Sequence, residues 1–412
     1  MRILHVTPHL GGGVGKAHAA LSAVLPEIVQ QTFVLLEAPR DRRYIDTIET
    51  AGARVLTADD LAHVAALARE SDIVQFEFWN HPRMFECLAR ADFPAMRSVF
   101  WSHISGIARP LIQPALMAEA ARFVFTTEAS LASSCVVALR RKTHKKVSVI
   151  NSGFGFPDAR PRTARGRVPG IAYLGTVDFV KMHPGFFDAV DALGDDSVRV
   201  AIWGEVDRQG AVVTRAKAMR YPDRVQFMGR TSDPAAVLAN ADIFFYPLQR
   251  DHYGTAENAL VEAMSLGLVP LVLDNPAEKA IVHDGKTGFV ASSIEEIGSL
   301  LEMLLLLPDV REKMSCNAIR AMAETRTPAM SAQDFMILWL AMLAEPARVC
   351  DFASAIGSTP AEWFLSTQQV SGTAWAPQKA GDGAVPAKGT LAHFESAFAD
   401  DESFARLRKL GT

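Results

Sequence analysis

Short apolar runs recur through the first part of the chain, at Ile3 to Val6, Phe33 to Leu36, Ile73 to Phe76, Val99 to Trp101, Phe123 to Phe125 and Val147 to Ile150. Helix-length stretches such as Lys16 to Ile28 and Leu61 to Arg69 separate them. Strands that read as unbroken apolar runs are buried on both faces, and the alternation with helices supplies the cover, so a parallel sheet is expected. A second series follows at Ile171 to Leu174, Val198 to Trp203, Val225 to Met228, Ile243 to Tyr246 and Val269 to Leu273, with a helix such as Pro234 to Ala239 between its runs. Gly153 to Gly170, rich in Gly, Pro and Arg, interrupts the pattern and reads as a linker. The expectation is an α/β protein of two Rossmann-like, doubly wound domains facing each other across a cleft. Their bounds are 1–155 and 171–330, with 156–170 as linker. A long helix is expected over 331–347. An extension, 348–412, holds a loose stretch from Thr373 to Lys388 and a terminal helix or helix pair from Leu391 to Leu410.

The 412 residues, 49% of them hydrophobic, suffice for two full cores. A net charge of −4 gives no general attraction to nucleic acid or anionic membrane. Cys87, Cys135, Cys316 and Cys350 stand far apart, which argues against a zinc site or a disulfide scaffold and fits a reduced cytoplasm. Met1 to Val6 is broken too soon by Pro8 and glycines to act as a secretory signal and reads as a first strand. The most apolar runs, Leu300 to Leu307 and Phe335 to Leu343, are too short to span a bilayer and are expected as core helices. For the basic stretch Arg140 to Lys146 a solvated turn is the plain reading. The alternative is electrostatic contact with an anionic lipid surface, worth on the order of 1 kcal/mol per basic residue. A cytoplasmic protein, at most peripheral at the inner membrane surface, is expected.

Ligands of parallel sheets bind beyond the carboxyl ends of the strands, which directs attention to the residues after each run. Thr7 to Lys16 carries Gly12, Gly13 and Gly15 ahead of a helix, so backbone amides could meet an anion there. Ala17 stands where a P-loop needs Ser or Thr, which argues against an ATPase. Glu77, Asn80 and His81 follow the third run beside aromatic rings able to stack on sugars, and His103 follows the fourth. Gly175, Thr176 and Lys181 follow Leu174, and Gly204 follows Trp203. Most informative is Tyr253 to Asp274, a polar loop, a helix with Ala259, Leu260, Ala263 and Met264 at helical spacing, Gly267 at its end, and a buried strand. It places Thr255, Ala256, Glu257, Asn258 and Glu262 at a helix N-terminus suited to phosphate.

Glu262-Ala-Met-Ser-Leu-Gly267, with the glycine-rich first loop and Lys181, resembles the family 4 glycosyltransferases of glycosyltransferase group 1. The resemblance covers roughly residues 1–345 and implies the GT-B fold, with the helix 331–347 crossing back to the first domain. It implies retaining transfer of a sugar from a nucleoside diphosphate sugar to a hydroxyl acceptor, in glycan, polysaccharide or glycolipid synthesis, the acceptor being lipid-linked in one version. No metal and no cofactor is implied, because cations and helix dipoles would carry the leaving diphosphate. The first domain would bind acceptor through Glu77, Asn80 and His81. The donor would lie against Gly12, Gly13, Gly15, Gly175, Thr176, Gly204, Thr255, Ala256, Asn258 and Glu262, the last on the ribose. His103, Lys181 and Glu257 would be catalytic.

Two positions depart from the family pattern. Thr176 replaces an Arg, and Gly254 stands where the first of two glutamates belongs, so its sugar contact would pass to Glu257 or Asp251. Other readings remain open: an epimerase or phosphorylase of the same architecture, or a degenerate transferase kept as a partner subunit.

Overall fold

The computed structural model describes residues 1–143, 146–153, 169–195, 197–252, 254–255, 257–368 and 389–410. The chain divides into two compact units, Met1–Gly153 with Pro328–Thr412, and Phe154–Thr327. Most of the linker at 156–170 and the loose stretch from Thr373 to Lys388 lie outside the described residues.

The first unit is built on seven parallel strands: β1 Arg2–Thr7, β2 Gln30–Leu35, β3 Arg54–Thr57, β4 Ile73–Phe78, β5 Ser98–Ser102, β6 Arg122–Phe125 and β7 Val147–Val149. Their order is β3-β2-β1-β4-β5-β6-β7, so the winding reverses between β1 and β4. Arg54-Val-Leu-Thr57 carries only two apolar residues, and as an edge strand it needs no more, so the apolar-run criterion passes over it.

One face of this sheet is apolar in the ordinary way. Phe100 stacks on Phe123 with ring centroids 5.6 Å apart, and Phe76 meets Phe352 at 5.7 Å. Phe352 belongs to the extension, whose short helices Phe352–Ile356, Pro360–Ser366 and Leu391–Ala397 pack on the helix Pro82–Arg90. Trp363, Phe364 and Phe394 are buried there. Each such side chain contributes about 1.5–3 kcal/mol on burial, so the extension is part of this unit's core. Leu391–Ala397 and Ser403–Leu410 form the terminal helix pair.

The other face is unusual. The register sets His5 beside Gln75 and Glu77 beside Trp101, which puts polar side chains in the centre of the sheet. The helices Gly12–Ser22 and Pro328–Leu343 cover them, contributing His18 and Trp339. The latter helix is only partly core: Phe335 and Trp339 are buried, whereas Ile337 is 62% and Leu340 55% exposed. The run Leu300 to Leu307 likewise buries Leu301 and Leu304 and ends in an exposed Leu306 and Leu307, so each run is a helix with one face in the core.

In the second unit six parallel strands, β8 Ile171–Leu174, β9 Val200–Trp203, β10 Val225–Gly229, β11 Ile243–Tyr246, β12 Val269–Leu273 and β13 Phe289–Ala291, run in the order β10-β9-β8-β11-β12-β13. Here the winding reverses between β8 and β11. The carboxyl ends of those two strands are where such a sheet holds a ligand. Among the described residues no helix is long and apolar enough to cross a membrane.

Candidate functional site

After β8 the chain makes a turn held by Asp178, whose carboxylate accepts from the Val180 amide at 2.8 Å and whose carbonyl accepts from Lys181 N at 2.9 Å. After β11 the chain runs alongside this turn, with Gln249 N donating to Lys181 O at 2.7 Å and His183 N to Pro247 O at 3.0 Å. Lys181 is thus fixed at the reversal point of the second sheet. Gly204 allows the neighbouring turn to sit close, because a Cβ there would lie 2.1 Å from the Gly175 carbonyl oxygen. Thr176 is exposed, and its carbonyl accepts from the Tyr173 hydroxyl at 2.7 Å.

The loop before the helix Glu257–Ser265 is held from beneath by residues that sequence reasoning missed. The Gly254 amide donates to His252 Nδ1 at 3.1 Å, and His252 Nε2 lies 3.0 Å from a fully buried Glu278 carboxylate. A ring nitrogen that accepts from an amide carries no proton, so Nε2 carries it and donates to Glu278. Asn275 Nδ2 completes the anchor by donating to Leu248 O and Glu278 Oε1. The only sequence signal was a His and a Glu, each soon after a strand, 26 residues apart.

At Gly254 a Cβ would come within 2.9 Å of both Lys181 Cε and Nζ, and 3.3 Å of His252 Nδ1. The lysine amine therefore occupies the place of a side chain at 254. A Gly254→Glu substitution should push the amine aside or pair with it, lowering turnover by about tenfold or more rather than restoring a family feature. Steady-state kinetics check this, and a gain in activity would refute it. Thr255 and Asn258 are partly exposed around the start of the helix, and Glu262 within it is 4% exposed. Ala256 and the side chain of Glu257 lie outside the described residues.

In the first unit Gly12 and Gly13 open the helix Gly12–Ser22, whose first turn has no side-chain cap. Gly15 is buried, and a Cβ there would collide with Leu10 O. Glu77 does not lie in a loop: it is inside β4, fully buried, and hydrogen-bonded through both oxygens. Oε1 lies 2.9 Å from His5 Nδ1 and 3.0 Å from Gln75 Nε2; Oε2 lies 3.1 Å from His103 Nε2 and 2.9 Å from His18 Nε2. Burial pushes this carboxyl up, but the electrostatic effect of His18 and the hydrogen bonds from His103 and His5 outweigh it and hold it well below the usual range. For His5 burial dominates, bringing it down to about 4 against the raising effect of Glu77.

His5, His18 and Glu77 are also a set whose ligating atoms lie within 4.8 Å of one another. Their orientation fits another purpose. Trp339 Nε1 donates to Gln75 Oε1 at 3.1 Å, which turns the Gln75 amide nitrogen onto Glu77. The carboxylate is held by N–H donors.

Asn80 and His81 are 4% and 3% exposed. Asn80 Nδ2 donates to Gly389 O at 3.1 Å, and the His81 ring stands edge-on to His393 at 5.0 Å. His81 also caps the helix Pro82–Arg90, accepting from Arg83 N at 3.3 Å. Its Nε2 lies 3.6 Å from Glu37. Glu37 lines a cavity of about 750 Å³ beyond the carboxyl ends of β2 and β3, with Arg40, Asp59, Asp60, Arg83 and Glu86. Another hollow of about 500 Å³ opens at the amino ends of β1 and β2, the wrong end of the sheet for a ligand.

Residues 158–321 match the family model described as glycosyl transferases group 1. No curated protein matches the chain. Similar solved structures include HepE of Anabaena in complex with UDP, 16% identical, covering 83% of this chain and 100% of that one with a TM-score of 0.66. HepE has also been solved in complex with UDP-glucose, with a TM-score of 0.61. A glycosyltransferase from Rickettsia africae is 12% identical over 84% of this chain and 99% of its own, at a TM-score of 0.66. Sucrose-phosphate synthase from Thermosynechococcus elongatus is 13% identical over 84% and 100%, at 0.61. The shared fold is GT-B, with two Rossmann-like units.

Proposed function

We propose that the protein is a retaining glycosyltransferase that moves a sugar from a nucleoside diphosphate sugar to a hydroxyl acceptor without a metal ion. The observation that carries this reading is Lys181 at the reversal point of the second sheet, its amine filling the place of a side chain at Gly254, ahead of a helix N-terminus in the group 1 domain. A cation and helix amides there would meet a diphosphate as it leaves. That HepE was solved with UDP and UDP-glucose supports a nucleotide sugar as donor.

Glu262 is assigned to the ribose hydroxyls, and the first unit to the acceptor, with the cavity at Glu37 and Arg40 as the polar surface for it. Attack by the acceptor hydroxyl on the face the diphosphate leaves, with a donor phosphate oxygen taking the proton, needs no enzyme nucleophile. The fit of Lys181 to Gly254 favours a rearranged site over a decayed one. A role in glycan or glycolipid synthesis, at or near a membrane surface, remains part of the proposal.

UDP release from a panel of UDP sugars, with and without sugar acceptors, tests the activity. Failure to release nucleoside diphosphate from any nucleotide sugar would overturn it. Glu262→Ala should raise the Kd for UDP by about tenfold or more, the loss of a charged hydrogen bond, while the thermal melt stays cooperative. Unchanged affinity by calorimetry would remove Glu262 from the ribose site.

A further inference from the structure

We propose that Glu77 is a positioning residue: it holds the proton of His103 on Nε2, so that Nδ1 is presented as a lone-pair acceptor for a sugar hydroxyl. The inference rests on the proposed function for the identity of the ligand, but its structural half stands apart from it. An ionised carboxylate can only accept, so the His103 nitrogen 3.1 Å from Glu77 Oε2 must be the one that donates. Burial lowers the pKa of His103 and outweighs the raising effect of Glu77, so the ring is neutral at neutral pH and its other nitrogen carries a lone pair. No described residue hydrogen-bonds that Nδ1, and the side chain retains 9% exposure.

The placement is fixed from every side. The His103 amide donates to Phe78 O at 2.8 Å, and the ring lies between Trp101 at 4.6 Å and Trp79 at 6.2 Å. It therefore stands just beyond β5, one strand away from the reversal point between β1 and β4. Glu77 in turn cannot rotate. Gln31 Nε2 approaches His5 Nε2 at 3.1 Å, which leaves His5 Nδ1 as the donor to Oε1, and Trp339 fixes the second Oε1 donor through Gln75. His18 Nε2 stands against Oε2 at 2.9 Å as a close contact without hydrogen-bond geometry. Such outer-shell orientation of an imidazole fixes which nitrogen faces the ligand.

The test reads the tautomer directly. Long-range proton–nitrogen spectra of the full chain labelled in histidine should show His103 neutral with its proton on Nε2 at neutral pH. A proton on Nδ1, or an imidazolium, would overturn the proposal whatever the activity. In Glu77→Gln, if it folds, the Nε2 preference should be lost.

The second arm leaves Glu77 untouched. His103→Asn keeps an acceptor near the Nδ1 position, and His103→Gln keeps a polar group near Nε2. UDP release from UDP sugars should stay within about tenfold of wild type for Asn and fall by about a hundredfold for Gln. The reverse order would overturn the proposal. A wild type inert toward every nucleotide sugar would sink the proposed function while leaving the tautomer to be judged by its own spectrum. Stoichiometric zinc in the purified chain would replace this account with a metal site.

Discussion

Alanine at Lys181 should lower kcat by about a hundredfold while weakening nucleotide binding by only a few fold, because the diphosphate gains charge as the glycosidic bond breaks. A uniform binding residue would raise KM instead. Several features favour the larger effect on kcat. Lys181 is held at both ends of its turn, by Asp178 on one side and by Gln249 on the other. Its amine lies against the backbone at Gly254, so little freedom is lost as the transition state forms. Thr176 brings no charge of its own, which leaves Lys181 as the cation assigned to this turn. Steady-state UDP release together with calorimetry of UDP separates the two quantities, and an unchanged kcat would remove Lys181 from the chemistry.

The first unit should lose about 3 kcal/mol of stability as the pH falls from neutral toward 4, through His5 alone. Its pKa is about 4 in the folded protein against a usual 6.5. Between those values the unfolded chain binds the proton and the folded one does not, so stability is complete above the usual value and drains away as the pH drops to the folded one. His103, also lowered, acts in the same direction. Glu77, held below its usual 4.5, extends the loss to still lower pH. Urea unfolding at a series of pH values should show this slope, and His5→Asn, which keeps a donor toward Glu77 without a titrating ring, should flatten it. An equal slope in the variant would place the acid sensitivity elsewhere.

The sheets were legible because strands buried on both faces spell themselves out as apolar runs, and Leu61–Arg69 was legible as a helix from its spacing. β3 and β13 were not, since short edge strands need few apolar residues. The candidate donor site was legible as strand-end residues because position after a strand is a local property. The cluster at Glu77 was not. Its members are brought together by sheet register across 72 residues for His5 and by a covering helix across 264 residues, from Gln75 to Trp339. Yet one hint was visible: Gln75 and Glu77 alternate with apolar neighbours in a strand that a doubly covered parallel sheet should keep apolar. The anchor of His252 on Glu278 was hidden for the same reason, because a hydrogen bond between two loops leaves no periodic trace.

The first unit begins the chain and also ends it. During synthesis all seven of its strands leave the ribosome before any of the segment from Pro328 onward exists, and the whole second unit is made in between. Until then the polar face of the sheet lacks the helix that carries Trp339, Gln75 has no partner to turn it, and the helix Pro82–Arg90 lacks the aromatic residues that bury it. Completion of the imidazole cluster therefore waits for the segment from Pro328 onward, and a chain cut short before it carries every strand of both sheets while the first unit still lacks its covering helix.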